Sequence, residues 1–133
     1  MYLLDTNIIS YWMRGDKGVI SKIRERAPSD LSFSSITLAE ILYGIEKSPH
    51  KQKERRLKIE RISSVLTLYN FDEVSAEKYA FIRNNLEKQG IIISERDMLI
   101  ASIAAARGLT MVTRNVKEFQ RVEDLRIEDW VDV

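Results

Sequence analysis

The 133-residue chain is the length of one domain, and its 44% hydrophobic and 31% charged residues, with 5 Gly and 2 Pro, exclude a disordered tail or a linker-rich assembly. The absence of cysteine and a single histidine, His50, exclude thiol nucleophiles, disulfide frameworks, Cys-ligated metals and any triad that needs two imidazoles. With 21 basic and 20 acidic residues, the net charge of +1 gives no global signal for a nucleic-acid partner.

Charge is nevertheless polarised along the chain. Lys51, Lys53, Arg55, Arg56, Lys58 and Arg61 form a basic run, while Glu118, Glu123, Asp124, Glu128, Asp129 and Asp132 make the end acidic. The start, Met1-Tyr2-Leu3-Leu4-Asp5, meets an acid too early for a signal peptide, and no apolar run is long enough for a membrane span. The expectation is a soluble, cytoplasmic protein of one domain, residues 1–133.

In chain order, Tyr2-Leu3-Leu4 predicts a strand, and helical spacing follows over residues 7–13 and 17–27. After the turn at Pro28, Leu31-Ser32-Phe33 predicts a second strand and residues 36–47 a helix. Ser48-Pro49-His50 reads as a turn into a basic helix over 51–64, and the strand Leu66-Thr67-Leu68-Tyr69 comes next. Helices over 75–89 and 95–107 stop at Gly90 and Gly108, before a fourth strand, Leu109-Thr110-Met111-Val112. Leu125 to Trp130 supplies an edge strand. Alternation of short apolar runs with amphipathic helices predicts an α/β fold of three layers, α/β/α, around a mainly parallel sheet of four to five strands.

In such a sheet ligands bind beyond the carboxyl ends of the strands, so polar residues there draw scrutiny. Asp5-Thr6-Asn7 closes the first strand, and Asp5 also reads as a helix N-cap. Glu40 lies in an apolar helical stripe, although Thr37-Leu38-Ala39-Glu40 also fits a capping box. Asp97 opens the helix Met98-Leu99-Ile100-Ala101, where Ser94-Glu95-Arg96-Asp97 fits the same motif. Val112-Thr113-Arg114-Asn115 ends the fourth strand, and Asn115 with Glu118 also reads as a cap. Four caps are ordinary singly. Their placement on one rim of one sheet is not.

Three carboxylates meeting at ~4–5 Å would repel by roughly 3–4 kcal/mol per pair at an effective dielectric of ~20, and so call for a cation. Oxygen donors without His or Cys select a hard divalent ion, Mg²⁺ or Mn²⁺, which would bind a phosphate oxygen and activate water for phosphodiester hydrolysis.

On Leu3-Leu4-Asp5-Thr6-Asn7, on Ser34 to Gly44, on Asp97 with Ile100-Ala101, and on Val112-Thr113-Arg114-Asn115 before Phe119, the chain resembles the PIN-domain ribonucleases. More narrowly it resembles the VapC-type toxins of toxin–antitoxin pairs. The four blocks stand in order and span nearly the whole chain. The resemblance implies a PIN-like fold and an endoribonuclease in which Asp5, Glu40 and Asp97 hold Mg²⁺, with Mn²⁺ able to substitute. It implies that Thr6 and Thr113 support them. Many relatives carry a fourth acid where this chain has Asn115, so a second metal is in question and Glu95 and Glu118 become supporting candidates. Implied partners are a VapB-type antitoxin, an RNA substrate with transfer RNA favoured, a second copy of the chain, and operator DNA only through the antitoxin complex. Arg96 and Arg14 are candidate contacts to RNA or antitoxin, and Tyr11 and Trp12 to an interface.

Two other readings compete. A phosphatase or phosphotransfer domain also puts an acid at the end of its first strand, but Asn7 stands where the phosphatase needs a second Asp. A non-catalytic α/β binding module would use the same acids only as helix caps.

Overall fold

The first apolar run, Tyr2–Leu4, forms strand β1 and becomes the central strand of a five-stranded sheet. The structure is a computed structural model that describes residues 1–131; Asp132 of the acidic end lies outside the described residues. Leu31–Ser34 forms β2, Thr67–Tyr69 β3, Thr110–Val112 β4 and Ile127–Glu128 β5. The order across the sheet is β3-β2-β1-β4-β5, and all four pairings are parallel.

Among the described residues seven α-helices fill the connections: α1 (Thr6–Met13), α2 (Lys17–Arg24), α3 (Ser35–Lys47), α4 (Gln52–Val65), α5 (Glu73–Lys88), α6 (Glu95–Arg107) and α7 (Val116–Phe119). Alternation along β1 separates two cores. Leu4 joins Ile8, Phe33, Ile41, Ile59 and Val112 under the layer of α1 to α4, whereas Leu3 joins Leu86, Ile100, Ile103, Met111 and Phe119 under α5 to α7. Both faces of β1 are thus covered, which is why its sequence is a continuous apolar run rather than an alternating one.

The expected elements are present with shifted ends. The second helix stops at Arg24, short of 27, because Ala27 precedes Pro28 and is driven to extended geometry (φ −68°, ψ 139°), after which Pro28–Asp30 makes one 3₁₀ turn. Arg26, freed from the helix, lays its guanidinium over the rings of Tyr2 and Trp130 at 4.8 and 4.5 Å. The helix expected from 75 begins at Glu73, since Asp72 caps it through the Ser75 amide at 2.9 Å.

Part of the basic run is structural. Arg55 donates to the carbonyls of Gly44, Ser48 and His50 at 2.8, 3.1 and 2.6 Å, satisfying acceptors that the end of α3 leaves open. Lys58 reaches the Met13 carbonyl at 2.9 Å. Tyr11 and Trp12 pack against the first core, whereas Tyr43 and Phe81 are exposed. Among the described residues no helix is long and apolar enough to cross a membrane.

Candidate active site

From β1 the chain winds first to β2 and β3 and only later crosses to β4 on the other side, which opens a crevice at the carboxyl ends of β1 and β4. Asp5, Thr6, Asn7, Ser10, Arg14, Glu40, Asp97 and Asn115 line a cleft of about 380 Å³ there.

Asp5 is 3% exposed and sits where β1 turns into α1. As N-cap it accepts from the Thr6 amide at 2.8 Å, the first helical N–H rather than the second or third that a capping side chain usually takes. That orientation leaves its other oxygen to accept from the Thr113 hydroxyl at 2.8 Å, so the ends of β1 and β4 are tied together through the carboxylate. Thr113 Oγ1 in turn accepts from the Asn115 amide at 3.0 Å, and Asn7 Oδ1 accepts from the Arg114 amide at 3.2 Å.

Glu40 is not the back-reaching partner of a capping box. Ser34 caps α3 by accepting from the Thr37 amide at 3.0 Å, so the helix starts earlier than the motif Thr37 to Glu40 implies. Glu40 falls in its second turn and faces α1. Its Oε1 accepts from the Thr6 hydroxyl at 2.6 Å, and its Oε2 pairs with Arg96 Nη1 at 2.9 Å.

Asp97 stands in the first turn of α6, where its amide donates to the Ser94 cap at 3.2 Å. Its side chain faces Glu118, on α7, in a carboxyl–carboxyl hydrogen bond. Glu118 is therefore the acid beside Asp97. Glu95 turns away: it accepts from the Tyr79 hydroxyl at 2.6 Å, lies 3.9 Å from Arg83 and is not among the residues lining the cleft.

The electrostatics follow from burial. Asp5 is pushed up from 3.8 to about 6, chiefly by loss of solvent, against the lowering effect of Thr113 and the Thr6 amide; Asp97 and Glu40 add like charge. Asp97 also rises to about 6, through burial first and the Glu118 carboxyl second, with Arg96 opposing. Among the described residues no three acids form a closed metal-binding group. The acids line the cleft from three sides instead. Their hard oxygen donors and poorly compensated charge fit a divalent cation of the Mg²⁺ or Mn²⁺ kind.

Asn115 begins α7 without a side-chain capping bond, and its side chain borders the cleft. Asn7 and Ser10 also line it, on the same face as Arg14, and of these Ser10 is the one that no sequence motif marks. The spacing 7, 10, 14 carried the signal, because residues three and four apart share one helical face.

The PIN-domain family model matches residues 2–125. The chain is 39% identical over 131 residues to Ribonuclease VapC2 of Haemophilus influenzae, covering 98% of both chains. It is 36% identical over 130 residues to the tRNA(fMet)-specific endonuclease VapC of Shigella flexneri, covering 97% of both. Among solved structures, a chain in the crystal structure of VapBC2 from Rickettsia felis bound to a DNA fragment from their promoter superposes with a TM-score of 0.90 at 36% identity, over 97% of this chain and 98% of that one.

Proposed function

This chain belongs to the PIN-domain family, as a VapC-type ribonuclease within it, and on that premise we propose that it is the toxin of a VapBC-type pair: an Mg²⁺-dependent endoribonuclease acting in the cytoplasm. The observation that carries the proposal is one cleft, at the crevice between β1 and β4, lined by Asp5, Glu40 and Asp97. The metal, when bound, supplies a Lewis acid for a phosphate oxygen and a water made acidic enough to attack phosphorus at neutral pH.

The protein's own groups do the rest. Asp5 is fixed by the Thr6 amide and the Thr113 hydroxyl, and Glu40 by the Thr6 hydroxyl, so both present aimed oxygens. Asp97 lies against the Glu118 carboxyl, and burial together with that neighbour pushes it up to about 6, so a cation at the cleft would favour its ionised form. Arg14, exposed at the rim, is placed to meet the RNA backbone. Asn115 stands at the same rim with an amide, which favours one metal ion over two.

The relatives' names extend the proposal to partners. The Shigella flexneri relative is a tRNA(fMet)-specific endonuclease and the Rickettsia felis structure is VapBC2 bound to a DNA fragment from their promoter. A transfer RNA substrate, a VapB-type antitoxin, a homodimer and promoter contact through the antitoxin complex are proposed here accordingly.

The test is cleavage of end-labelled transfer RNA by the purified protein with Mg²⁺, Mn²⁺ or EDTA, beside Asp5→Asn and Asp97→Asn prepared identically. Discrete fragments that need metal and vanish in both variants support the proposal. Equal cutting by the variants, or cutting in EDTA, overturns it.

A further inference from the structure

Among the described residues, Glu40 is the acid lining the cleft that makes an ion pair, with Arg96. Its two oxygens are both engaged, one by the Thr6 hydroxyl at 2.6 Å and the other by Arg96 Nη1 at 2.9 Å. Arg96 lies in the first turn of α6, where the helix dipole disfavours a positive side chain, so the helix gains nothing from it locally. Its side chain instead reaches from α6 to Glu40 on α3, beside the cleft rather than among the residues that line it, and is 67% exposed against 22% for Glu40. An ion pair this exposed is cheap to open. Asp5 feels the like charge of Asp97 and Glu40, and Asp97 feels Arg96 only as a weaker opposing charge without an ion pair to it.

A divalent ion held by Asp5, Glu40 and Asp97 would compete with Arg96 for Glu40 and would meet the guanidinium's charge. We propose that Arg96 is a displaceable internal cation, holding Glu40 Oε2 until the metal takes that oxygen and then turning at the cleft rim to bind a phosphate of the RNA. This rests on the metal reading of the site and adds to it a competition and a switch of partner. Arginine suits both partners, since its guanidinium binds carboxylate and phosphate oxygens alike.

The experiment measures Mn²⁺ binding to the purified free protein by calorimetry or electron paramagnetic resonance, for the wild type, Arg96→Gln and the control Arg24→Gln. Arg24 is an exposed cation on α2, outside the cleft, so its loss changes net charge equally. Removing a positive charge within several ångströms of the ion should lower the Mn²⁺ Kd about five- to twentyfold in Arg96→Gln, and by less than about twofold in Arg24→Gln. Melting temperature confirms that each variant is folded. At saturating Mn²⁺, Arg96→Gln should raise KM for RNA about tenfold with a smaller change in kcat.

An unchanged or weaker Mn²⁺ affinity in Arg96→Gln, with the wild type binding normally, overturns the competition. A tighter metal site with unchanged KM overturns the phosphate step. Failure of the wild type itself to bind Mn²⁺ would instead sink the metal reading on which both stand.

Discussion

At the scale of single residues, the site is held together by hydroxyl groups placed between acids. Thr113 gives its proton to Asp5 and Thr6 gives its own to Glu40, so two carboxylates are aimed without a cation at either contact. The cost is poorly compensated charge. Asp97→Asn should relieve it, because an amide can donate to Glu118 where a carboxylate repels it; in metal-free buffer at pH 7.5 we expect a gain of about 1 kcal/mol, or roughly 3–4 °C in Tm, and no further rise on adding Mn²⁺. Differential scanning calorimetry checks both arms. Asp5 gives a pH signature of definite sign. Its folded carboxyl keeps a proton up to about pH 6 whereas the unfolded chain releases it near 3.8, so the folded state binds more protons between those values. This contribution to stability is full below pH 3.8 and is lost as pH rises through about 6, amounting to about 3 kcal/mol at most. Metal-free wild type should therefore lose stability relative to Asp5→Asn between pH 4 and 7, as followed by urea denaturation. A flat difference would mean that Asp5 is solvated. Of these residues the sequence displayed the acids and the threonines but not their pairing. Glu95 and Glu118 both looked able to support Asp97, yet residues two apart on a helix do not share a face, which left Glu118 as the acid that reaches it.

At the scale of elements, capping decides where the acids point. Ser34 is fully buried and starts α3 one turn before the Thr37 motif suggests, and that advance carries Glu40 out of a terminal role into the cleft. Ser34→Ala should cost about 1–2 kcal/mol in chemical denaturation and, by loosening the first turn of α3, lower activity more than the loss of stability accounts for. Restoration by Ser34→Thr would assign the effect to the cap. Strands β1, β2 and β4 were legible because buried parallel strands are short uninterrupted apolar runs, and α6 was legible to the residue because Ser94 caps it and Gly108, at φ 64°, ends it. Helix α7 was not. Its four residues are too few for a periodic pattern, and what fixes it is the burial of Phe119 in the second core together with the bond of the Thr113 amide to the Glu128 carbonyl at 2.9 Å, contacts that only the assembled sheet creates.

At the scale of the whole molecule, two cores back a single strand, and the charged cleft sits at its end. A divalent ion that binds only this folded arrangement stabilises it by mass action: at 100 times its Kd the gain is about 2.7 kcal/mol, which for a chain of this size raises Tm by about 10 °C. Thermal melts with and without 5 mM Mn²⁺ should show the rise, EDTA should reverse it, and Asp5→Asn should lack it. The parallel α/β architecture was readable from sequence, because short apolar runs alternate with amphipathic helices; of the rim residues, Asp5 and Asn115 follow strand ends and Glu40 sits in the helix after β2, whereas Asp97 opens α6, which follows α5 rather than a strand. The basic run was less informative, since Arg55 and Lys58 serve main-chain carbonyls within the fold. The sheet order carries one more consequence. The central strand is made before its neighbour β4, yet its carboxylate is tied to a hydroxyl at the end of β4, 108 residues later. At about 5–20 residues per second, translation separates the two by roughly 5–20 s. A nascent chain that has not yet released β4 has Asp5 without Thr113 and half a crevice, so the cleft is completed only when β4 pairs with β1.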